Sequence, residues 1–193
     1  MATKKQLLDL AERIATTANA KMAIGGGVAV CAHGYRRDTA DVDAFFHYED
    51  QKKILRAVNL LLGDDFILEE LDPSHWTVTA ADSPPPPDER IDLLFATRDP
   101  EESAVEMSVL KNYQGVRIPV FPVDLLVISK FLTERDDAKN SLDIYELIRR
   151  GAADADQVTL RLRQIGHDED AARFAIFIEY LQLLSTKKRG NHA

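Results

Sequence analysis

The chain has 193 residues, 45% hydrophobic and 29% charged, with a single cysteine, Cys31. This is one domain, or one domain with a small annex, and its apolar content excludes a disordered or disulfide-stapled class. With 24 basic against 32 acidic residues the net charge is −8, which disfavours a general nucleic-acid binder. The lone cysteine, and an amino terminus without a run long enough for a signal peptide or membrane span, lead to the expectation of a soluble cytoplasmic protein with no membrane partner.

Leu7, Leu10, Ala11, Ile14, Ala15 and Ala18 recur at the helical period and predict an amphipathic helix from Gln6 to Ala18. Met22-Ala23-Ile24 reads as a short strand halted by Gly25, Gly26 and Gly27, with a new helix beginning near Val28. Asp41 to Phe46 alternates as a strand, with both aspartates on one face and Val42 on the other. Asp50 to Leu62 reads as a helix with Ile54, Leu55, Val58, Leu61 and Leu62 inward, stopped at Gly63. Short strands follow at Phe66–Leu68, His75–Thr79 and Ile91–Ala96, separated by Asp72-Pro73 and by the Pro84 to Pro87 run, which cannot lie within a sheet. Val116 to Phe121 is a further strand, and then the pattern turns helical: Val123–Glu134, Ala138–Arg150, Asp156–Ile165 and Asp168–Leu184. The expectation is an α+β chain, with a mixed sheet flanked by helices over residues 1–121 and a helical part packed on it over 122–193.

Chemistry concentrates between Gly26 and Asp43. Two aspartates at i and i+2 on a strand point the same way, with Cα atoms roughly 6.5 Å apart. Paired divalent ions sit about 3.5 to 4 Å apart, so Asp41 and Asp43 can ligate such a pair, and hard oxygen ligands suit Mg2+ or Mn2+. Gly26 and Gly27, turning into a helix, offer backbone N–H groups to a phosphate and leave room for its approach. A third carboxylate is expected from a neighbouring strand. Asp92, an acid embedded in the apolar run Ile91 to Phe95, supplies one as metal ligand and general base, or else pairs with Arg90. Glu69 and Glu70 compete, but they close their strand and read as solvent-facing.

The wording Gly26-Gly27-x-Ala29, His33-Gly34, Arg37-x-Thr39-x-Asp41-x-Asp43, with a later strand aspartate, resembles the nucleotidyltransferase superfamily of DNA-polymerase-β-like fold. It is similar above all to small bacterial nucleotidyltransferase-like proteins related to abortive-infection toxins. A second block, Phe121-Pro122-Val123-Asp124 to Lys130, then Arg135 and Lys139 to Asp143, resembles the same group, so the likeness spans residues 22 to about 150. Gly27 stands where the commoner signature has serine, and Asn140 where relatives often carry aspartate. The resemblance implies a nucleotidyltransferase fold, with Asp41, Asp43 and Asp92 as metal triad and Gly26, Gly27, Arg37, Thr39 and Lys130 around a nucleotide.

Like Asp92, two more of these residues have a second reading. Arg37 either clamps a γ-phosphate or pairs with Asp38 or Asp41. Lys130, in an otherwise apolar helix, either binds triphosphate or pairs with Asp143 or Glu134. His33, Cys31, Trp76 and the Phe174, Phe177, Ile178, Leu181 stripe read as packing residues, and Lys187 to Arg189 as a solvated tail. The expected activity is metal-dependent transfer of a nucleoside monophosphate from an NTP to an acceptor hydroxyl on a tRNA, a protein or a small molecule. The alternative is a catalytically weakened member of a toxin–antitoxin pair, acting by binding a toxin or antitoxin partner.

Overall fold

A computed structural model describes residues 3–62, 66–81, 90–133 and 138–190, with side chains described to residue 183. Gly63, the Pro84 to Pro87 run, Glu134 and Arg135 lie outside the described residues. The chain divides into two compact units, Met1–Pro122 and Val123–Ala193.

The first unit is built on a seven-stranded mixed sheet in the order β3-β4-β5-β2-β1-β7-β6. Helix α1 (Lys4–Ala18) opens on a capping box, with Thr3 accepting from the Gln6 amide and Gln6 reaching back to the Thr3 amide. Strand β1 (Ala23–Ile24) is followed directly by α2 (Gly26–Ala32). The glycines therefore differ from the sequence expectation: Gly25 is the N-cap, and Gly26 and Gly27 already form the first turn of the helix. Strand β2 (Asp41–His47) alternates strictly, with Val42, Ala44 and Phe46 fully buried and their neighbours on the other face.

A single 3-10 turn (Tyr48–Asp50) leads into α3 (Gln51–Leu62), which buries Ile54, Ala57, Val58 and Leu62. Strands β3 (Phe66–Asp72), β4 (His75–Ala80) and β5 (Arg90–Ala96) follow. Two elements have no counterpart in the sequence reading, α4 (Glu101–Glu106) and β6 (Val109–Tyr113), the partner of β7 (Val116–Val120). β2 runs parallel to β5 and β1 parallel to β7, and the other pairings are antiparallel. Helix α1 packs on α3 and across β2 and β5. Leu7, Ile14, Ile54, Val58, Val42, Phe46, Ile91, Leu93 and Val78 are the centre of this unit's core.

The second unit is helical: α5 (Val123–Thr133), α6 (Ala138–Arg149), α7 (Ala155–Gln164) and α8 (Asp168–Gly190). Asp154 caps α7, accepting from the amides of Asp156 and Gln157. Leu125, Leu126, Ile128, Ile144, Leu147, Val158, Leu162 and Phe174 make its core, and Phe131 meets Phe174 edge-on at 5.1 Å between ring centroids. Residues 187–189, read from sequence as a loose tail, continue the backbone of α8.

Candidate active site

The sheet register builds the acidic cluster. Asp43 and Asp92 are direct partners on the parallel strands β2 and β5, and Asp41 shares Asp43's face two residues earlier. The result is that Asp41, Asp43 and Asp92 each bring a carboxylate oxygen within 4.8 Å of the others. That spacing and an all-oxygen donor set suit a hard divalent ion.

Asp92 is the most deeply placed of the three, 3% exposed, and its charge is met from several sides. Arg90, two residues earlier on the same strand face, donates from Nε to both carboxylate oxygens at 3.0 Å. Thr77, its register partner on β4, donates to Oδ1 at 3.1 Å. His75 Nε2 lies 3.3 Å from the same oxygen, yet out of hydrogen-bonding alignment, and that buried nitrogen has no hydrogen-bond partner among the described residues. The ion pair with Arg90, the second sequence reading of Asp92, is thus present alongside the triad. Burial alone would lower the Arg90 pKa, but the hydrogen bond to Asp92 and the fields of Asp92, Asp41 and Asp43 outweigh it and raise the value further. Glu69, the register partner of Thr77, is exposed, as its competing candidacy required it not to be.

The glycines stand against this cluster. Gly26 has φ +51, and a Cβ there would fall 1.6 Å from Asp43 Oδ2, so the position admits no side chain while Asp43 holds its place. A Cβ on Gly27 would meet Thr39 Oγ1 at 2.4 Å and Arg37 Nη1 at 3.1 Å. The Gly25 amide donates to the Asp43 carbonyl at 2.9 Å, tying the turn to β2. The N-cap, Gly25, has no side chain to cap α2, and the amides of Gly26, Gly27 and Val28 belong to the first turn, which a helix leaves without internal acceptors.

Thr39 donates to Asp41 Oδ1 at 3.0 Å, and Arg37 Nη1 donates to the Asp38 carbonyl at 2.9 Å. Cys31 donates from Sγ to the Arg37 carbonyl at 3.2 Å, and His33 Nε2 lies 2.8 Å from the Phe121 carbonyl oxygen. Both therefore shape the loop between α2 and β2. Lys4 was not singled out by the sequence reading, yet its ammonium donates to the backbone carbonyls of Ala40 and Asp41, fixing the start of β2. Only a contact across residues distant in sequence marks it.

Lys130 belongs to the second unit. It is 9% exposed, 2.8 Å from Asp143 Oδ2 and 3.0 Å from Asn140 Oδ1, and Asp143 is wholly buried. Of its two readings, the pair with Asp143 is formed.

No protein-family model and no curated protein sequence matches the chain. Solved structures do. One is ANT(2")-Ia in complex with adenylyl-2"-tobramycin, 17% identical with a TM-score of 0.57, covering 90% of this chain and 98% of that one. Another is the lincosamide antibiotic adenylyltransferase LnuA in its lincomycin-bound form, 16% identical with a TM-score of 0.53 over 76% of this chain and 97% of the other. A nucleotidyltransferase-like protein from Paracoccidioides brasiliensis is 18% identical, with a TM-score of 0.53 over 76% and 75%. With the seven-stranded mixed sheet and the carboxylates that its register brings together, these likenesses show that the chain has the nucleotidyltransferase fold.

Proposed function

We propose that this chain is an enzyme that transfers a nucleoside monophosphate from an NTP to a hydroxyl of a small-molecule acceptor, with Mg2+ or Mn2+ held by Asp41, Asp43 and Asp92. The observation that carries the reading is the convergence of three carboxylate oxygens within 4.8 Å beside an uncapped glycine turn. When bound, such ions supply neutralisation of triphosphate charge. The chain's own groups do the rest. The Gly26, Gly27 and Val28 amides hold phosphate oxygens, Thr39 orients Asp41, and Arg37, next to Gly27, faces the growing charge. Asp92 accepts the proton of the acceptor hydroxyl as its oxygen forms a bond to the α-phosphorus. The bond from that phosphorus to pyrophosphate breaks and pyrophosphate leaves with the electron pair. Arg90 and Thr77 keep the Asp92 carboxylate oriented for this. Lys130, occupied by Asp143 and Asn140, takes no part.

ATP is the first donor to test and antibiotics the first acceptors, because the similar structures include an adenylyl-tobramycin complex and a lincosamide adenylyltransferase. A net charge of −8 suits a cationic acceptor such as tobramycin over tRNA. The grip of Arg90 on both oxygens of Asp92 favours a second reading, a weakened member that binds nucleotide, or a toxin–antitoxin partner, without transfer. Each α-labelled NTP, incubated with manganese and a panel of aminoglycosides, lincosamides, tRNA and cell extract, separates the two. Label transfer that Asp43→Ala abolishes supports the enzyme. Manganese-dependent nucleotide binding without transfer supports the second reading, and the absence of both transfer and binding overturns both readings.

A further inference from the structure

The loop from α2 to β2 and the tip of the β6–β7 hairpin enclose a groove of about 480 Å³. Its polar lining is made of Arg36, Arg37, Asn112, Tyr113 and Gln114, and no acidic residue lines it, although the chain carries a net charge of −8. The hairpin side is preorganised. Tyr113 and Val116 are its closing pair, and Gln114 and Gly115 between them have positive φ, +50 and +84, the backbone of a tight two-residue turn. Asn112 Oδ1 accepts from the Gly115 amide at 3.0 Å, so the group Asn112 can turn to a ligand is its NH2. The Tyr113 oxygen accepts from Gln114 Nε2 at 3.4 Å. Burial and the neighbouring Cys31 push the phenol pKa up, so Tyr113 keeps its proton and can donate it.

Two guanidiniums, a carboxamide NH2 and a phenol O–H make a donor set with no carboxylate in the lining to answer it. Such a set fits an anion with several acceptor oxygens, above all a phosphate group, which the guanidinium fork matches. Arg37 joins the groove to the candidate active site. Its carbonyl accepts from Cys31 Sγ at 3.2 Å, and its Nη1 lies 3.1 Å from the place a Gly27 Cβ would take. Gly27 and Cys31 stand four residues apart on α2, about 6 Å along the helix. A diphosphate leaving the glycine turn therefore meets the groove at Arg37. We infer that the groove is a metal-independent binding site for a phosphate oxyanion, either the pyrophosphate displaced in transfer or the phosphate of a phosphorylated small molecule. The position of Arg37 favours pyrophosphate. That source rests on the transfer reading, whereas the site itself does not.

Calorimetric titration of the full chain with inorganic pyrophosphate, in EDTA so that no divalent ion takes part, tests the site. The expected result is saturable binding at a single site. Arg36→Gln should weaken it roughly ten-fold, the loss of a charge-assisted contact, and Tyr113→Phe about three-fold, the loss of one neutral donor. Arg36 is exposed and Tyr113→Phe removes one oxygen, so both variants should keep the wild-type melting temperature and manganese binding. Asp43→Asn, which disables the acidic cluster, should leave pyrophosphate bound at least as tightly as in wild type. Ribose 5-phosphate distinguishes the sources: tighter pyrophosphate supports the displaced product, and tighter ribose 5-phosphate a phosphorylated small molecule. No saturable binding of either probe overturns the inference. So does binding that Arg36→Gln leaves unchanged, that Asp43→Asn abolishes, or that sulfate at equal concentration matches. Groove binding in a chain that transfers no label counts against the transfer reading alone and leaves the site standing.

Discussion

Gly26 carries two constraints at once: a left-handed φ, and a Cβ position already taken by the Asp43 carboxylate. Alanine there pays a backbone strain of about 1–2 kcal/mol and pushes Asp43 out of the cluster. Gly26→Ala should therefore lower the melting temperature modestly and abolish manganese binding, measured by calorimetric titration, a far larger effect than the strain alone predicts. Lys130 poses the opposite case, a cation whose surroundings are structural. Lys130→Met takes the ammonium from beside the wholly buried Asp143 and should lower stability in urea unfolding by about 1–3 kcal/mol. Replacing both partners by apolar residues should recover most of that. If Lys130→Met kept full stability and lost nucleotide binding, the triphosphate reading of Lys130 would stand instead.

Elements differ in how far the sequence announces them. β2 and β5 were legible because Val42, Ala44 and Phe46, and Ile91, Leu93 and Phe95, mark a buried face, against which Asp41, Asp43 and Asp92 stand out. β6 was not, because Val109 to Asn112 are all exposed and carry no alternation for a pattern to detect. α4, six residues long after Asp99-Pro100, is too short for a helical period to register. The contacts of Thr77 and His75 with Asp92 were equally hidden, since they arise from how β4 aligns with β5. The placement of Gly26 and Gly27 inside α2 was missed for a different reason. Glycine's helix propensity is poor, and only the packing of Asp43 and Thr39 against that turn favours it there.

At the end of α6, Arg149 holds Glu146 below the ordinary glutamate range, and Arg150 adds to this against the penalty of burial. The sign follows: the unfolded chain takes up this proton first, so the contribution is present above the ordinary range and is lost as pH falls through the lowered value. Glu146→Gln should therefore flatten the melting-temperature profile on the acid side of the ordinary glutamate range relative to wild type, with little change between the variants' slopes at neutral pH.

For the whole molecule, an excess of eight negative charges includes three carboxylates gathered within 4.8 Å. A divalent ion that binds the folded chain alone stabilises it by mass action, about 2.7 kcal/mol at a hundred-fold excess over Kd. For a chain of this size that corresponds to a rise of roughly 5–10 °C in melting temperature. Manganese should produce such a rise, EDTA should reverse it, and Asp43→Asn should remove it. Without metal, Asp43→Asn should melt no lower than wild type, because it relieves repulsion among the acids. A metal-insensitive wild-type melting curve would count against the triad as an ion site.

Asp43 and Asp92 face one another across a rung of the ladder between β2 and β5, strands far apart in the sequence. A slip of one residue would bring Ile91 or Leu93 opposite Asp43 and turn Asp92 toward the apolar interior. The acidic cluster is thus also a gauge of alignment. A collapsed chain with these strands out of step has no ion site. Any ion that prefers the cluster withdraws correctly paired molecules from the equilibrium, and so proofreads the sheet as well as equipping it.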